Sequence, residues 1–143
     1  MSDWSSHAAR SIQQQKNNEQ LKAAKAQYDQ ETLNLSGPGL WQNLRQLLTR
    51  MCTELNSESG MRDTLAYDES NPAQLRIEHT ARKSNLVFSF DGQRHHVGIT
   101  GAVSKVYGIQ IIEGTRETCF MDGNMSIQAH EIARKALDNL LGI

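Results

Sequence analysis

Asp91-Gly92 sits between LVFSF and QRHHVGIT, two runs in which apolar residues recur at every second position. Such a dipeptide between alternating runs is the strongest short-range hairpin signal, because Asp and Gly tolerate the positive φ angles of a type I′ turn. A two-residue loop there predicts Phe90 opposite Gln93, Phe88 opposite His95 and Leu86 opposite Val97. Upstream, QLRIEHTAR reads as another strand, joined through Lys83-Ser84 or through Arg82 to Asn85. Either loop places Ala81 opposite Leu86, His79 opposite Phe88 and Ile77 opposite Phe90.

Side chains alternate between the faces of a strand, so this register sorts the meander into two sets. Leu75, Ile77, His79, Ala81, Leu86, Phe88, Phe90, His95, Val97 and Ile99 form an apolar face. Arg76, Glu78, Thr80, Arg82, Asn85, Val87, Ser89, Arg94, His96, Gly98 and Thr100 form a largely polar one. An antiparallel sheet covered on one side only has this pattern.

The remaining chain supplies the cover. Residues 1–35 contain a long run of good helix formers without Gly or Pro, and their four basic and four acidic residues cancel. Leu21, Ala24, Tyr28 and Leu35 fall at heptad-like spacing, interrupted by Glu31. A helix this polar must pack on its own domain, pair with another chain, or fray, because helices gain most of their stability from packing; packing or self-association is the expectation. Ser36-Gly37-Pro38-Gly39 is expected to end it and to open a second helix, striped by Leu40, Leu44, Leu47, Leu48, Met51 and Leu55 and stopped near Gly60.

Short strands are expected at Thr64 to Asp68, Val106 to Glu113 and Glu117 to Asp122. A turn at Gly114-Thr115 would pair Ile109 with Phe120 and Ile111 with Thr118. Ser126 is positioned to cap a last helix, whose apolar face runs from Ala129 to Leu141 and which Gly142 ends. The order α-α-β-β-β-β-β-β-α, with no strand–helix–strand alternation, predicts a two-layer α+β domain. Its antiparallel sheet has five to six strands with helices on one face. The organisation is a polar arm, 1–35, for packing or oligomerisation, and an α+β domain, 36–143.

A chain of 143 residues can bury about two thirds of its unfolded surface as one domain. Its net charge of −1 gives no global attraction to nucleic acid or anionic lipid. Cys52 and Cys119 lie in apolar periodic segments without metal-ligand spacing, as buried thiols in a reducing compartment do. The opening MSDWSSHAAR lacks the apolar stretch of a signal peptide, and no run is long enough to span a membrane. A cytoplasmic location is the expectation.

No nucleophile elbow, P-loop or dinucleotide fingerprint is present, and His130-Glu131 lacks the second His of an HExxH motif. The reading therefore leans away from an enzyme and expects no metal and no cofactor. Two groups of residues carry chemistry. Arg76, Arg82 and Arg94, with His96 beside them, would share the polar sheet face, where planar guanidinium groups suit phosphate or carboxylate. That face lacks the aromatic residues on which single-stranded nucleic acid stacks, and Glu78 neutralises part of it. His79 and His95 would flank Phe88 under the sheet as a cavity pair for acid–base work, without a third ligand for zinc. The leading expectation is a non-catalytic binding or adaptor domain that self-associates as a homodimer or meets a protein partner. An anion- or nucleic-acid-binding module and a small histidine enzyme are the alternatives.

Overall fold

The computed structural model describes residues 3–58, 60 and 64–143. Its elements are α1 (Asp3–Glu58), β1 (Leu65–Asp68), β2 (Gln74–His79), β3 (Ser84–Asp91), β4 (His96–Gly101), β5 (Lys105–Ile111), β6 (Thr118–Asp122), β7 (Met125–Ile127) and α2 (Ala129–Leu141). The fold is α+β. All seven strands lie in one sheet in chain order, and every neighbouring pair is antiparallel. The chain divides after Thr32 into two units.

In the second unit the alternating pattern becomes two unlike faces. Leu75, Ile77 and His79 of β2, Leu86 and Phe88 of β3, Val97 and Ile99 of β4, Tyr107 and Ile109 of β5, and Phe120 of β6 are buried. Against them pack Trp41, Leu44, Leu48 and Cys52 of α1 and Ile132, Ala133, Ala136, Leu137 and Leu140 of α2, in one core cluster. Each buried leucine contributes about 1.5–3 kcal/mol, so the two helical stripes hold the layers together. No residue on the other sheet face is buried among those described. Cys52 is fully enclosed, which pushes its thiol up to about 11. Cys119 is half-buried, and both thiols are free.

Polar contacts fix α1 to the first hairpin. Trp41 stacks on Phe90 with ring centroids 6.0 Å apart, and its Nε1 donates to the Pro72 carbonyl at 2.8 Å. Arg45 donates to the carbonyls of Glu69 and Asn71 in the same loop. Asn56 brackets Leu65, donating to its carbonyl at 2.9 Å and accepting its N–H at 3.1 Å. This occupies backbone groups at the first residue of an edge strand, where an open edge invites further pairing.

Four expectations need correction. First, Ser36-Gly37-Pro38-Gly39 does not break the helix, which continues to Glu58. Pro38 donates nothing to the Asn34 carbonyl, but Asn34 is exposed and water can reach it. Contacts on both sides of the proline hold the helical path: Ser36 Oγ lies 2.7 Å from Thr118 Oγ1 and Gly37 is buried before it, and Trp41 is buried after it. Ser59, in the polar run expected to precede the stop, lies outside the described residues.

Second, both meander registers move by four residues. Phe88 pairs with Leu75 and Ile99, not with His79 and His95. The loops are Thr80–Lys83 and Gly92–His95, four residues each, with Lys83 (φ 53) and His95 (φ 54) in the left-handed region. Third, Asp122-Gly123-Asn124 opens a tight hairpin into a seventh strand, with Asp122 opposite Met125. Fourth, Ser126 therefore lies in β7. Gln128 is the N-cap of α2 and makes no side-chain cap bond; its carbonyl accepts the N–H groups of Glu131 and Ile132.

Candidate functional site

The slip of four is even, so faces survive while neighbours change. Ala81 moves from the core set into an exposed loop, and His95 stays buried as the last residue of the loop before β4. The arginines do not gather. Arg76 lies on the outer face, opposite Asp68 of β1 and Val87 of β3, with Glu78 two residues along. The Asp68 carboxyl sits below its ordinary range, chiefly through hydrogen bonds from Ser70 and to a lesser degree through the charge of Arg76. Arg76 is thus flanked by two carboxylates, which weakens its pull on an outside anion.

Arg82 and Arg94 lie in loops at opposite ends of β3, whose eight residues span about 25 Å. The Arg82 N–H donates to His79 Nδ1 at 3.0 Å, and its guanidinium lies against Gly142 at the C-cap of α2. Carbonyl oxygens converge at that end of a helix, so a cation there meets the negative pole of the helix dipole. Arg94 is exposed, 3.9 Å from Asp91 through Nε. His96 faces outward opposite Asp91 and Gly108, and its Nδ1 is enclosed without a hydrogen-bond partner.

His79 and His95 are buried at opposite ends of β3 and form no pair. His79 accepts a backbone N–H through Nδ1, which places its proton on Nε2 when neutral. Among the described residues no group of three or more His, Cys, Asp or Glu side chains is placed to hold a metal ion. None of their helices is long and apolar enough to cross a membrane.

The first unit presents a different kind of surface. None of the described residues from 3 to 32 is buried, and Trp4, Ile12, Leu21 and Tyr28 are exposed. Leu21, Ala24 and Tyr28, at spacings of three and four, share one side of the helix. Local side-chain bonds on this helix include Gln13 Nε2 to Asn17 and Gln27 Nε2 to Glu31, each at 3.3 Å. Exposed pairs of this kind contribute about 0.2–0.5 kcal/mol each. Set beside known protein families, curated proteins and solved structures, the chain matches none of them.

Proposed function

We propose that the chain is a non-catalytic binding module that self-associates as a homodimer through the helix of its first unit. The absence of any buried residue from 3 to 32, among those described, supports this reading most strongly. A helix so polar, with no buried residue among those described, lacks the packing that stabilises most helices. A second copy supplies it by covering Leu21, Ala24 and Tyr28, whose heptad-like spacing in the sequence Leu35 extends. The polar Glu31 in that seam weakens the pairing and restricts its register.

Sedimentation equilibrium of the full chain tests the proposal. The expected mass is twice the 16.0 kDa of one chain, and the double variant Leu21→Glu, Tyr28→Glu sediments as a monomer. A monomeric wild type, or a double variant that associates as strongly as wild type, removes the proposal.

A further inference from the structure

Beyond the core, β4, β5, β6 and α2 leave a cavity of about 190 Å³. Its lining is apolar at Ile99, Ala136 and the ring of Tyr107, and charged or polar at Lys105, Asp122, Lys135 and Asn139. Lys105 Nζ sits 2.8 Å from Asp122 Oδ1 and 5.8 Å from the centroid of the Tyr107 ring. That pair is internally neutral. Lys135, on the exposed side of α2, makes no ion pair among the described residues, and Glu131 one turn earlier does not reach it. The lining therefore carries one uncompensated positive charge.

Tyr107 adds a second polar group. The residue is only 4 % exposed and lines the cavity, and its hydroxyl, which is not sealed from solvent, has no hydrogen-bond partner among the described residues. Burial, helped by the charge of Asp122, raises the pKa of Tyr107, so the group is a neutral donor at pH 7. One ammonium and one phenolic donor beside an apolar floor match a monoanion with a hydrocarbon body. They suit a multiply charged phosphate less well, since it would bring a second charge with no cation to meet it.

We propose that this cavity binds a small monocarboxylate with a short aliphatic tail, its carboxylate held by Lys135 and Tyr107 and its tail resting on Ile99 and Ala136. The volume equals that of about six water molecules, which sets the size at about six non-hydrogen atoms, that of butyrate. The Lys105–Asp122 pair forms a wall that repels neither end of such a molecule. This site is independent of self-association, so the monomeric double variant should bind the same ligand equally well.

Titration of the full chain with butyrate, followed by amide NMR, tests the assignment. Saturable shifts are expected at Lys135, Ala136 and Asn139, with a Kd at or below about 10 mM, within reach of so small a ligand. Lys135→Gln should weaken binding about tenfold, and Tyr107→Phe, which keeps the ring, about threefold or more. Butylamine and inorganic phosphate should bind at least about tenfold more weakly than butyrate. Absence of saturation by about 100 mM butyrate, equal binding of either control, or unchanged affinity in both variants overturns the proposal.

Discussion

A methyl group added at Gly101 or at Gly142 meets very different surroundings. Both glycines have positive φ, 109° and 76°. At Gly142 the new Cβ falls on the guanidinium of Arg82, the far end of a flexible side chain that can swing aside. Gly142→Ala should then cost only the left-handed backbone, about 1–2 kcal/mol. At Gly101 the Cβ falls on the backbone carbonyl of Asn85, which also accepts the Ala102 N–H at 2.7 Å. That group is fixed by the β3–β4 ladder and cannot move without opening it. Gly101→Ala should cost about 3 kcal/mol or more, the strain of the dihedral added to the collision. Urea unfolding of both variants at equal m-value compares them directly. Equal losses would show that the Asn85 carbonyl yields, contrary to this account.

At the level of elements, the two central loops share one device. A side chain at the end of the incoming strand accepts the backbone N–H three residues on: His79 from Arg82 and Asp91 from Arg94, each at 3.0 Å. Asp91 also accepts from Gln93, and these bonds, with that to Arg94 the strongest, hold its carboxyl below its ordinary pKa. A carboxyl depressed by folding stabilises the native state above its unfolded pKa, near 4, and loses that contribution as pH falls through the lower folded value. Asp91→Ala should therefore unfold at lower urea than wild type at pH 7, with the gap closing below about pH 4. A gap that persists unchanged to pH 2 would place the effect elsewhere.

The same device explains which parts of the sheet were legible in the sequence. Alternation fixed the faces, and because the register slipped by an even number, Leu86, Phe88, Val97 and Ile99 still face the core. The β5–β6 pairing of Ile109 with Phe120 agrees with expectation, since Gly114-Thr115 lies at the centre of that loop. Loop length in the meander depended instead on acceptors at His79 and Asp91, which composition rules do not weigh. The arginine group and the histidine pair were drawn from that register, so their neighbours changed with it. Pro38 and Ser126 were read by local preference, and packing around Gly37 and the pairing of β7 overrode it. Lys105 and Asp122 went unread because the expected strand began at Val106; the Ile109–Phe120 register, extended by two residues, sets Asp122 opposite Tyr107 and on the same face as Lys105.

For the molecule as a whole, the two units rest on different sources of stability. The second has a continuous core from Trp41 to Leu140. The first has no buried residue among those described, and residues 3–32 are 30 of the 56 residues of α1. If a second copy supplies the missing burial, helix content becomes a function of protein concentration, because any species that binds only the ordered form stabilises it by mass action. Dilution through the dimer dissociation constant should then lower the far-ultraviolet helical signal, by up to the share contributed by residues 3–32. Trp41, enclosed between α1 and the sheet, should keep its buried emission throughout, provided Trp4 is replaced by Phe to remove the exposed reporter. Leu21→Glu should show the reduced helicity at every concentration. A monomer that keeps its full helical signal on dilution would mean that the polar helix stands alone, and the physical motive for pairing would be gone.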